Sequence, residues 1–176
     1  MKRYLLLIIL LQSCNNTINI DDKSSENNTI ENSINISAKI NPQSLSFEAQ
    51  NITQKWSSLP ELQSIINALK SKNYSAFMET DNYLKEFITE LKKTLPKKLD
   101  LPSITSRIVV LETNILELES VLSKTQLETK RKVTVTNKSI ESYYNLIYQI
   151  NKTIEKELQK LRSSFLRKQS IFTNLS

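Results

Sequence analysis

From about residue 43 the apolar positions recur every three or four residues, the period of one helix face. Ala49, Ile52, Trp56 and Leu59 make the first stripe. Pro60 follows, a residue suited to a helix start and poor inside one, so Leu62, Ile65, Ile66 and Leu69 belong to a second short helix. Asn73 reads as a break. Phe77, Leu84, Phe87, Ile88, Leu91 and Leu95 form a third stripe, closed by Pro96 because the residue before proline avoids the α region. Trp56 is expected to be a core residue sealing the junction of the first two helices.

The next helix carries the clearest pattern. Asp100 or Ser103 is placed to cap it, with Pro102 in its first turn. Leu101, Ile104, Ile108, Leu111, Ile115, Leu118 and Leu122 then alternate spacings of three and four, which is a heptad seam. Val109, Val110 and Leu116 lie off that seam, so a second buried face is expected, as in a bundle. The last helix shows Ile140, Tyr143, Ile147, Ile150, Ile154, Leu158, Leu161 and Phe165, with one slip across Ile150, Ile154 and Leu158. Between the two, Glu128 to Asn137 holds the β-branched run Val133-Thr134-Val135-Thr136, which lowers helix propensity and reads as the turn of an antiparallel hairpin or a frayed helix end. The pattern predicts an all-α fold: an antiparallel helical bundle over 43–172, built around a long C-terminal helical hairpin, with a short tail at 173–176.

Residues 15–42 differ. They are rich in Asn, Ser, Thr, Ile and acids and lack a helical stripe. Such tracts bury too little surface to offset ordering entropy, so a disordered tether is expected. As a flexible coil it would hold the body about 30 Å from its attachment point. Ile34, Ile36, Ala38 and Ile40 alternate, which leaves a short edge strand or docked segment open.

The first 13 residues change the picture again. Lys2 and Arg3 precede an apolar run from Tyr4 to Leu11, and Gln12 and small Ser13 lead to Cys14. The run is far short of the roughly 20 residues that span a bilayer as a helix. A charged start, an apolar core and a small-residue cleavage site mark a secretory signal. With Leu11 three before the cysteine and Ser13 just before it, the segment resembles a bacterial lipoprotein signal peptide. The resemblance implies cleavage between Ser13 and Cys14 and attachment of acyl chains, palmitate among them, to Cys14. The membrane then becomes a partner through those chains, since two or three of them anchor stably. It also implies a cell-envelope location. Residue 15 is Asn, not the Asp associated with inner-membrane retention, which points to the outer membrane.

Composition narrows the function classes. The 176 residues fit one domain. Removing Lys2 and Arg3 with the leader leaves a net charge of about +4, too mild to argue for nucleic acid. The chain has no Gly and no His and a single Cys. Phosphate-cradling loops lose their usual residue, and the commonest general base and transition-metal ligand are missing. With Cys14 assigned to lipid, neither a disulfide nor a thiolate site is expected.

The remaining clusters have modest readings. Glu112, Glu117 and Glu119 could do acid–base work or hold a metal, but they flank the seam where solvated charges belong. Lys152, Lys156 and Lys160 share a helix face that could meet phosphate, anionic lipid or polysaccharide, or simply be solvated. Tyr143 belongs to the seam, and Tyr144 and Tyr148 lie four apart beside it, at a core edge or an interface. Tyr144, Tyr148, Lys152, Lys156 and Lys160 are the candidate partner surface. Asn114, Asn145, Gln149 and Asn151 sit beside the stripes and could set helix register.

No cofactor, metal or nucleic acid is expected, and no catalytic residue. The expectation is a non-enzymatic, membrane-anchored envelope lipoprotein whose helical body serves protein–protein interaction or assembly support. The alternative is a bundle that binds a small apolar or anionic ligand between its helices, recognisable by an apolar void near Trp56. The small helical lipoprotein that tethers outer membrane to peptidoglycan ends in lysine. This chain ends Asn174-Leu175-Ser176, so covalent attachment of that kind is not expected.

Overall fold

The computed structural model describes residues 43–78, 82–124 and 129–173. Cys14, Ser13, the tether and the alternating run Ile34 to Ile40 lie outside the described residues. The described residues form five α-helices and one 3₁₀ turn: α1 (Phe47–Thr53), α2 (Leu59–Lys70), the turn Ser75–Phe77, α3 (Tyr83–Lys93), α4 (Pro102–Leu122) and α5 (Thr129–Thr173). Among them there is no strand. The fold is the all-α bundle on a C-terminal hairpin that the apolar periods predict.

Local chemistry explains where the helices start and stop. The Ser46 hydroxyl caps α1 by accepting from the Ala49 amide at 3.2 Å. Pro60 sits in the first turn of α2, where its missing N–H costs nothing. α2 closes with two bonds, from the Lys72 amide to the Leu69 carbonyl at 3.0 Å and from the Asn73 amide to the Ala68 carbonyl at 2.9 Å. This is a Schellman end, and it requires a left-handed residue just past the cap. With no glycine in the chain, Lys72 takes that conformation at φ 57°. Asn82 precedes α3 with φ 78°, a conformation asparagine tolerates. Leu101 occupies the cap position of α4 in extended backbone before Pro102. Neither Asp100 nor Ser103 caps this helix; the proline's fixed φ organises its start.

α4 and α5 form the antiparallel hairpin. The Ser139 hydroxyl donates to the Asn114 carbonyl at 3.0 Å and the Asn114 amide reaches the Lys138 carbonyl at 3.4 Å, while Arg131 lies 3.6 Å from Glu117 one turn nearer the hairpin end. Ser139 and Ser142 are buried there, and small side chains let the two backbones come close. α1 and α2 pack on α5, and α3 packs on α4. One core joins them: Trp56, Leu62, Leu69, Leu84, Leu91, Leu99, Ile104, Ile115, Leu118, Ile140 and Ile150 are wholly buried.

Two expectations change. The run Val133 to Thr136 is helical, the first part of α5, and the hairpin turns between Leu122 and Thr129. Val135 and Thr136 are buried, and the Thr134 and Thr136 hydroxyls donate back to the Lys130 and Lys132 carbonyls at 2.9 and 2.8 Å. Packing of that face outweighs a propensity deficit of a few tenths of a kcal/mol per residue. The second buried face on α4 is also not formed at Val109 and Val110, which are exposed; only Leu116 is partly covered. α3 covers one flank of α4 and nothing described covers the other.

Candidate interaction surface

α5 runs for 45 residues against 21 for α4. At 1.5 Å per residue it is about 67 Å long and its partner about 31 Å. The hairpin pairing sets Asn114 beside Ser139, so the start of α4 falls near residue 152 of α5. α1 extends the cover by one turn. The Ser46 amide donates to Asn151 Oδ1 at 2.9 Å, and Asn151 Nδ2 donates to the Ser44 carbonyl at 2.9 Å. Ile154 is the last buried residue of α5 whose side chain is described. From Glu155 to Gln169 every position is exposed.

That exposed half is not a polar helix. Leu158 is 44% exposed, Leu161 65%, Phe165 61% and Leu166 57%. At 3.6 residues per turn, Leu158, Leu161 and Phe165 continue the line of Ile154 within an arc of about 60°. Leu166 stands off that line. The charged side chains of this stretch are the acids Glu155 and Glu157 and the bases Lys156, Lys160, Arg162, Arg167 and Lys168, with Lys156, Lys160 and Arg167 on the face opposite the stripe. Glu155 and Arg162 border the stripe on one side and Glu157 on the other, and Lys168 continues the seam line three residues after Phe165.

The stripe was legible as a seam, but its exposure was not. Reading 128–137 as the turn would pair the start of α4 with a later part of α5 and bury Leu158 and Leu161. The observed pairing of Asn114 with Ser139 sets α4 against an earlier part of α5 and leaves them uncovered. The slip across Ile150, Ile154 and Leu158 is the sequence signal that coincides with the edge of the body.

The five side chains expected to form a partner surface are not one surface. Tyr144 is buried: its ring packs edge-on against Tyr143 at 5.4 Å and its hydroxyl accepts from Lys70 Nζ at 3.2 Å. Tyr148 is exposed, with the Lys152 ammonium 5.9 Å from its ring centre. Lys152 donates to Glu155 at 2.8 Å, which holds its ammonium above the usual lysine range. Lys152, Lys156 and Lys160 do come together. With Leu101, Ser103 and Thr153 they line an open groove of about 710 Å³ where α4 begins beside α5.

Two of the three acidic candidates are ion-paired. Glu112 pairs with Lys92 of α3, and Glu117 lies near Arg131 of α5. Among the described residues no group of three or more Asp, Glu, Cys or His side chains could hold a metal ion. Trp56 is wholly buried, and its indole N–H donates to the Leu91 carbonyl at 2.9 Å. Among the described residues no helix is long and apolar enough to cross a membrane. No family model matches the chain, and neither a curated protein nor a solved structure matches it.

Proposed function

We propose that the chain is a lipoprotein of the bacterial envelope, anchored by acyl groups on Cys14, whose helical body carries out no chemistry and engages another protein or supports an assembly. The outer membrane is the proposed site, on the residue that follows Cys14. The observation that carries the interaction role is the bare half of α5. Three large apolar side chains at heptad spacing stand in solvent, each about half exposed or more, on a helix that continues past its own bundle. Burying such side chains contributes about 1.5–3 kcal/mol each, a driving force the body leaves unused. Small-molecule binding ranks second, because the core around Trp56 is filled by wholly buried side chains and the marked grooves are open and superficial.

The test is site-specific photocrosslinking in cells. A photoreactive residue at position 161 should give a discrete adduct with another protein, and one at Arg107, on the exposed side of α4, should not. Absence of an adduct at 161, at native expression level, would overturn the interaction role. Fatty-acid labelling of wild type against Cys14→Ala tests the anchor separately.

A further inference from the structure

We propose that α1 is a releasable latch. It lifts from α5 as a unit, turning about Gln54 and Lys55, while the rest of the body stays folded, and a pull on the chain that precedes it releases it. The source of that pull rests on the anchored reading of Cys14; the opening itself does not.

α1 depends heavily on its seat. It has seven residues, and a helix shorter than about 12 is marginal in water by itself. It buries little in return. Ala49 and Thr53 are buried and Ile52 partly so, whereas α2 buries Leu59, Leu62, Ile65, Ile66 and Leu69. Phe47, the largest side chain of α1, is 74% exposed. The side-chain bonds of Ser46 to Ala49, Gln50 to Leu45 and Thr53 to Ala49 lie within the segment and travel with it.

The two ends are held differently. At the front, Asn151 of α5 accepts from the Ser46 amide and donates to the Ser44 carbonyl, so both ties run through one side chain. Behind α1, Gln54 and Lys55 are exposed. Trp56 then fixes the chain: it is wholly buried, and its indole N–H bonds to the Leu91 carbonyl. Ser58 shares a hydrogen bond with Thr94 at 3.1 Å just beyond. A pull from the Cys14 side therefore meets the Asn151 ties first, peels α1 and stops at Trp56.

Opening has two consequences. Residues 44–55 drawn out span about 40 Å, against about 10 Å for seven residues of helix, so the body gains reach without unfolding. Ile154, buried three residues past Asn151, loses its neighbours Ser46 and Glu48, which line one open groove with it.

The experiment is amide hydrogen exchange on the full chain carrying Cys14→Ala, from zero to sub-denaturing urea. The Gln50 and Gln54 amides, bonded to the Ser46 and Gln50 carbonyls, report on α1, and the amides of α2 and α4 report on the body. α1 should open about tenfold or more as often as α2 and α4, with a weaker urea dependence because it exposes less surface. Asn151→Ala should raise the opening of α1 about tenfold and that of α2 less than about twofold. In a single-molecule pull between Cys14 of the unacylated chain and Arg107→Cys, a reversible lengthening of about 30 Å should precede unfolding of the body. Asn151→Ala should move that step to lower force.

Exchange of α1 with the frequency and urea dependence of α4 overturns the latch, because α1 then leaves only with the whole body. Exchange of α1 as fast as an open chain, unchanged by Asn151→Ala, overturns it as well, since nothing is held. Absence of the early step overturns release by a pull. Failure of Cys14 to take up fatty acid sinks the anchored reading alone, and the exchange result decides the opening separately.

Discussion

The side-chain amide of Asn151 grips the backbone at Ser46, 105 residues earlier in the chain, accepting from its amide at 2.9 Å. The same side chain donates to the Ser44 carbonyl, so both ends of one amide are used. Ser46 is also the cap of α1, which makes this tie the point where α1 is seated on α5. Asn151→Ala removes both bonds and leaves the Ser46 amide without that acceptor. The expected cost is about 1–2 kcal/mol. Amide exchange at Ser46 should accelerate more than exchange in α4, because the loss is local before it is global. Equal acceleration everywhere, or none at Ser46, would refute the assignment.

Trp56 closes the far end of α3. The Leu91 carbonyl belongs to the last turn of that helix, where backbone acceptors lack intrahelical donors; the Leu95 amide bonds to the Lys92 carbonyl instead. The Trp56 indole supplies the missing donor. Trp56→Phe loses that bond and leaves a void in a packed core. Urea unfolding should show a loss of about 2–3 kcal/mol. A loss under about 0.5 kcal/mol would mean that the bond contributes nothing and the site collapses freely.

Lys72 pays a steric penalty for a conformation suited to glycine. Its φ of 57° closes α2, and the side chain is exposed. Left-handed backbone costs an ordinary residue about 1 kcal/mol or more, partly offset by the greater unfolded-state freedom of glycine. Lys72→Gly should therefore raise stability by about 0.5–1 kcal/mol. Lys72→Val should lower it, since β-branching worsens the same clash. Denaturation midpoints of the two variants on opposite sides of wild type would confirm the argument; the same direction for both would defeat it.

Burial pushes the Tyr143 phenol up to about 12, and neighbouring Tyr144 adds to the rise. In the unfolded chain the group titrates near its ordinary value of 10.0. Between these values the folded state keeps a proton that the unfolded state releases. The stabilisation is present below about pH 10 and is lost as pH rises through about 12. The loss attributable to Tyr143 is about 1–3 kcal/mol. Tyr143→Phe cannot ionise, so its stability should exceed that of wild type progressively over this window while the two stay close at pH 7. Parallel curves from pH 9 to 12 would show that the phenol is not desolvated.

The hairpin shows how far periodicity reaches. The line from Ile104 to Leu118 is buried as its spacing predicts, because an uninterrupted apolar face has one favourable place to go. Leu122, expected to end that line, is only partly covered, and Val121 takes the buried place. Which of these two adjacent side chains is covered depends on the contact with α5, and a repeat of three and four does not encode it. At Val133 to Thr136 local propensity and burial disagree, and burial prevails because the face packs against α4.

The all-α class and the breaks near Asn73 and Pro96 were set by the order of apolar and polar residues, since each depends on local backbone chemistry and on one side of one helix; the first break falls earlier than Pro60, because α1 ends at Thr53 and Leu59 already belongs to α2. Which parts of a stripe find cover was decided only by tertiary structure. Leu158 and Phe165 carry the same pattern as Ile140 and Ile147, yet the second pair is buried and the first is exposed. The difference lies in where the hairpin turns and in how long α4 is, both properties of the pairing between helices. A seam in a sequence states that a partner is wanted; only the fold reveals whether the chain itself provides it.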